Sequence, residues 1–152
     1  MDAAWEQAAS LEAAFDLVVA GPDDLFVAGG INFADTRVLR ISRQTGAVDA
    51  DWTPITSCFV RRLVLDGTYL YAAGSDFSGS DYRACVQRID AGGVLDPTFA
   101  PAWTDGSDTR TLAIAGGAIY VGGVFDHVGE VARRALVAFD SVDELFEGSF
   151  EE

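Results

Sequence analysis

Positive charge is scarce in this chain. Of its 152 residues only ten are Lys or Arg against 24 Asp or Glu, leaving a formal net charge of −14. That balance repels nucleic acid and anionic membrane surfaces at long range, so neither is expected as a partner, and its plain use is solubility. Long apolar runs are missing as well. None approaches the roughly 18 residues of a membrane-spanning helix, and the first residues are acidic where a secretory leader would be basic. The expectation is a chain that stays in the cell, leaves without a leader, or forms part of something larger.

Histidine occurs once, at His127, in a variable stretch after Phe125. No Gly-x-Ser-x-Gly elbow supplies a nucleophile beside it and no acid/base pair is identifiable, so an enzyme is not expected. Cysteine occurs twice, at Cys58 and Cys85, without the Cys-x-x-Cys spacing or neighbouring His of a zinc site. Cys85 holds an apolar strand position and reads as a buried free thiol. A disulfide with Cys58 is the alternative, and would point to an oxidising compartment. Carboxylates gather at Asp23 and Asp24, Asp49 and Asp51, Asp76 and Asp81, and Asp105 and Asp108, yet none matches a calcium-loop pattern. Turn capping accounts for most of them, and Asp105 with Asp108 is the weak calcium candidate. The paired glycines 29–30, 116–117 and 122–123 lack the helix start or lysine that a phosphate loop needs. No cofactor is implied.

What the chain does have is a repeat. Asp-x-x-aromatic recurs from Asp2 to Trp5, Asp49 to Trp52 and Asp96 to Phe99, and again with Glu from Glu147 to Phe150; the aromatics stand 47, 47 and 51 residues apart. Periods of this size mark a repeat array. Its boundaries fall at about 2–48, 49–95 and 96–146, with 147–152 opening a fourth copy, so that 1–152 is a single repeat domain. In register with the anchors lie a first apolar strand (Leu17–Ala20, Leu63–Leu65, Leu112–Ile114) and a second that ends in glycine (Gly29, Gly74, Gly123). The links between them, Gly21-Pro22-Asp23-Asp24, Asp66-Gly67-Thr68 and Ala115-Gly116-Gly117, are hairpin turn chemistry. A third strand (Val38–Ile41, Cys85–Ile89, Leu136–Phe139) and a shorter fourth complete each unit. Residues 1–14 have helical alanine spacing, but in register residues 6–14 match loops, and loop is the expectation against a short inserted helix.

Four short strands per unit without a required helix is the shape of a propeller blade. Glycine closing the second strand suits a bulge or close backbone approach, and Trp5, Trp52, Phe99 and Phe150 would plug the blade junctions. Gly93-Val94-Leu95-Asp96-Pro97-Thr98-Phe99, continuing to Ile119-Tyr120-Val121-Gly122-Gly123-Val124-Phe125, resembles the bacterial delta-type (delta-60-like) β-propeller repeat. That family's following Arg, apolar strand and Asp are matched by Arg83 to Asp90 and by Arg133 or Arg134 to Asp140, whereas Arg37 falls two positions late. The resemblance implies a propeller and no catalytic motif.

Three blades are half of a six-bladed ring, and closed propellers have four to eight. The fold expected is therefore all-β, with three four-stranded propeller-type blades; a β-trefoil is the alternative. Half a ring exposes two blade faces, so the expected partner is a second copy in a ring-closing homodimer, or another protein of a larger assembly. The equivalence of Trp5 and Phe150 complicates closure, because one anchor site cannot take both, and Phe146 and Phe150 could dock elsewhere. The expected function is a non-enzymatic assembly or protein-interaction module of a cell-surface or virion structure, extracellular or virion-associated rather than cytoplasmic. A lectin-like glycan-binding module using the loop aromatics Trp103 and Tyr82 is the second reading, with packing over a blade junction the plainer expectation for Trp103.

Overall fold

The computed structural model describes residues 11–30, 36–54 and 56–140, and among them there is no helix. Trp5, Phe150 and most of the N-terminal alanine-rich stretch lie outside the described residues. Three antiparallel sheets follow one another along the chain. Sheet 1 is β1 (Ala13–Ala20), β2 (Asp24–Gly30) and β3 (Thr36–Ser42); sheet 2 is β4 (Cys58–Asp66), β5 (Tyr69–Asp76) and β6 (Arg83–Ile89). Sheet 3 is β7 (Asp108–Ala115), β8 (Ala118–Val124) and β11 (Leu136–Asp140), interrupted by a small hairpin, β9 (His127–Val128) and β10 (Val131–Ala132).

Each sheet is a meander with its second strand in the centre. The fourth strand expected in each unit shrinks to a single bridge in the first two, Ile41 with Val48 and Ile89 with Leu95. The chain turns back at 42–47 and 90–94 and then leaves the edge for the next anchor, so pairing stops there. Asp49 N–H still bonds the carbonyl of Arg40, and Asp96 N–H that of Arg88, at 2.9 Å each. His127, expected in an exposed loop, is exposed on β9.

Glycine makes the first hairpin of each sheet tight. Gly116 and Gly117 between β7 and β8 have φ of 60° and 80°, the left-handed pair of a type I′ hairpin turn. The second-strand glycine serves a different purpose. β4 bulges between Val60 and Arg62 and β7 between Thr109 and Thr111, which swings the first strand's backbone over the centre of the sheet. A Cβ on Gly74 would collide with the carbonyl of Phe59, and one on Gly123 with that of Asp108.

Sheet 2 is packed on both faces, and the period-2 alternation of β5 divides the core. Leu70 and Ala72 join Phe26, Ala28 and Val38 of sheet 1; Tyr71 and Ala73 join Ile119, Val121 and Val137 of sheet 3. Burying one such aliphatic side chain stabilises by roughly 1.5–3 kcal/mol. The first strands β1, β4 and β7 lie side by side, and polar side chains tie the sheets along this line. Asp16 Oδ2 accepts the Leu63 N–H at 2.8 Å. Buried Thr109 donates its hydroxyl to the Gly74 carbonyl at 2.6 Å and accepts the Cys85 N–H at 3.1 Å.

Candidate functional site

The three sheets share one register, so each outer face has an inner counterpart. Leu17, Leu63 and Leu112 hold the same place on the first strand, opposite Val27, Ala72 and Val121. Their exposures are 58%, 5% and 8%. Val38, Val86 and Leu136 hold one place on the third strand, opposite Ala28, Ala73 and Gly122, and are 2%, 4% and 43% exposed. What covers Leu63 and Leu112 is the preceding sheet, and what covers Val38 and Val86 is the following one. Sheet 1 has no predecessor among the described residues and sheet 3 no successor. The leading face of sheet 1 presents Leu17, Val19, Leu25, Val27, Leu39 and Ile41, of which Val27 and Ile41 are already buried with Leu11 and Val48 beside them.

The two anchor aromatics among the described residues, Trp52 and Phe99, sit between sheets. Trp52 lies 4.8 Å from Phe26 of sheet 1 and donates its indole N–H to the Ala91 carbonyl of its own repeat at 3.2 Å. Phe99 lies 5.6 Å from Tyr71 of sheet 2 and 5.9 Å from Phe139 of sheet 3. Motif Asp96 accepts the Thr98 N–H at 2.9 Å, the turn-capping use of Asp. Its second oxygen takes Arg88 Nε at 2.9 Å. Hydrogen bonds from Thr98 and then from Arg88 hold the Asp96 carboxyl down to about 2. Burial works against the charge on Arg88, but bonds to Tyr71 and Asp96 outweigh it and hold the guanidinium above its ordinary value. Arg40 repeats the pattern on the surface, 2.7 Å from Asp24 and 3.7 Å from Asp49. This pairing differs from the Arg83-to-Asp90 match expected from the resemblance, although Arg40 and Arg88 stand nine and eight residues before the motif Asp.

Trp103 is half-buried, in keeping with the packing expected of it. It bridges to Val128 and packs edge-on against Phe125 at 5.2 Å and Phe139 at 6.1 Å. Its indole N–H is buried without a hydrogen-bond partner among the described residues, and the residue lines a cavity of about 490 Å³ shared with Arg83, Val86, Asp96 and Phe99. Tyr82 is elsewhere, exposed, with Phe77 6.3 Å from its ring. Asp105 pairs with Arg83 at 2.8 Å, while Asp108 is taken by Arg61 at 2.9 Å, by the Ser75 hydroxyl and by Arg110 at 3.3 Å. The two weak calcium candidates thus serve different arginines, and among the described residues no three His, Cys, Asp or Glu are grouped to hold a metal.

Cys58 and Cys85 form a disulfide, Cα atoms 5.8 Å apart, which corrects the expectation of a buried free thiol. It joins β4 to β6, the two strands on either side of β5. The bulge after Val60 and the small Gly74 opposite Cys85 bring these edges within reach.

Compared with known proteins, the chain matches no family model, no curated protein and no solved structure. Among the described residues no helix is long and apolar enough to cross a membrane.

Proposed function

We propose that the chain is a non-enzymatic assembly module of β-propeller type, its three sheets serving as blades and a second copy supplying the blades that cover its outer faces. The contrast between exposed Leu17 and buried Leu63 and Leu112 carries this reading. Among the described residues, the leading faces of sheets 2 and 3 are each met by the trailing face of the sheet before. The surface that fits the leading face of sheet 1 by construction is therefore the trailing face of another sheet 3, where Leu136 is exposed. Two chains joined this way at both ends make six blades. A rigid disc of this kind suits a structural part of a surface or virion assembly, and the disulfide favours an oxidising, extracellular setting over the cytosol.

Light scattering on the purified chain tests this. The expected mass is twice the 16.1 kDa of one chain, and Leu17→Glu or Leu136→Glu should return it to monomer with the fold retained. A wild-type chain that is a stable monomer at high concentration would sink the reading.

A further inference from the structure

The three first strands bulge at the same point of the repeat, and the extra residues are Phe15, Arg61 and Arg110. Because β1, β4 and β7 are neighbours, these side chains converge. With Arg62 and Asp108 they line one open cleft of about 490 Å³.

Its charge runs against the rest of the molecule. All ten basic residues of the chain are arginines, and three of them line this cleft in a protein of net charge −14. Elsewhere four arginines each meet a carboxylate of their own, Arg40 with Asp24, Arg83 with Asp105, Arg88 with Asp96 and Arg134 with Asp126, while Arg43 and Arg133 bond main-chain carbonyls. Here one carboxylate serves two: Asp108 Oδ1 accepts Arg61 Nη1 and the buried Ser75 hydroxyl, and Oδ2 accepts Arg110 Nε. Arg62 has no ion pair among the described residues. The nearby Asp16 carboxylate already accepts the N–H groups of Leu63 and Leu17. A guanidinium carries five N–H donors in a fork suited to oxyanions, and Asp108 uses one on each of Arg61 and Arg110. The carboxylate thus orients two forks and leaves most of their donors open.

An aromatic row leads away from the cleft. Phe15 lies 5.1 Å from Phe59, Phe59 6.2 Å from Phe77, and Phe77 6.3 Å from Tyr82, with the Arg61 guanidinium 5.4 Å from the Phe59 ring. Phe77 and Tyr82 are exposed. Exposed rings beside oriented guanidiniums suit a chain of flat, partly apolar units that carries carboxylates.

We infer that this cleft and row bind an acidic carbohydrate of uronic-acid type, the carboxylate on Arg61, Arg62 and Arg110 and the sugar rings along Phe15, Phe59, Phe77 and Tyr82. The site lies on the first strands and the loop between β5 and β6, apart from the sheet faces used in self-association, and stands whether or not the chain dimerises.

Calorimetric titration of the full chain with oligogalacturonate, a neutral oligosaccharide of equal length, polyglutamate and inorganic phosphate tests it. Saturable, salt-sensitive binding of oligogalacturonate alone is expected. The exposed pair Arg62→Gln with Arg110→Gln should weaken it about tenfold or more, the loss of at least one charge-assisted bond, and Phe77→Ala should weaken it without changing its salt dependence. No binding of oligogalacturonate, equal binding of the neutral sugar, or polyglutamate or phosphate binding as tightly would each overturn the assignment. So would full affinity in the double variant with its circular dichroism unchanged.

Discussion

Arg88, on the last strand of sheet 2, reaches past the turn at 90–94 to hold Asp96, the residue that opens the following repeat. Its guanidinium is buried, 4.7 Å from the Tyr69 ring and 5.3 Å from the Phe99 ring. One side chain thereby binds the end of one unit to the anchor of the next. Arg88→Ala should destabilise by about 2–4 kcal/mol, through lost packing and a stranded partner. The half-exposed Arg40→Ala should cost under about 1 kcal/mol. Urea unfolding of the two variants side by side checks the ranking.

The same pair sets an acid limit. The Asp96 carboxyl, ordinarily near 3.8, is lowered to about 2 by Thr98 and Arg88, and Asp76 is lowered by its bonds to Ser78. A carboxylate with a lowered folded value stabilises fully above its ordinary value and loses that contribution as pH falls towards the folded one. Stability should therefore decline between about pH 4.5 and pH 2, and Asp96→Asn should flatten that decline. Urea midpoints measured from pH 6 to pH 2 give the slopes, and identical slopes in the two proteins would refute the assignment.

Two glycines should respond differently to the same change. Gly74→Ala drives a methyl into the Phe59 carbonyl, and backbone cannot step aside as a side chain does, so a loss of about 2–4 kcal/mol is expected. Gly21→Ala meets nothing within 4 Å and carries only the strain of φ 68°, about 1–2 kcal/mol. Thermal unfolding distinguishes them.

The disulfide spans 27 residues. Closing a loop of that length restricts the unfolded chain by about 3–4 kcal/mol. Cys58→Ser with Cys85→Ser should lower stability by about that amount, and a reducing agent should affect the wild type alone. Equal urea midpoints with and without reductant would show that the bond contributes nothing.

Local demands of the backbone were readable from residues alone. The hairpins at Gly21, Gly67 and Gly116–Gly117, the all-β class and the three-unit spacing each follow from what a few consecutive positions can or cannot do, since only glycine adopts those turn angles freely and strand runs show their own alternation. A full fourth strand in the first two units is more than the residues license, because turn chemistry at Thr45-Gly46 and Gly92-Gly93 marks where a chain reverses but not how long it then stays paired. The off-repeat place of Trp103 suits packing over a blade junction first and a binding anchor second, and nothing local announces Phe125 and Phe139 beside it. Leu17, Leu63 and Leu112 are one residue type at one repeat position, yet only Leu17 faces outward, since burial depends on which sheet lies alongside. The convergence of Arg61, Arg62 and Arg110 and the joining of Cys58 to Cys85 likewise depend on the bulges and on stacking between distant segments. Turn angles and strand alternation belong to neighbours in the chain; exposure, pairing and charge balance belong to neighbours in space, which only the packed sheets define.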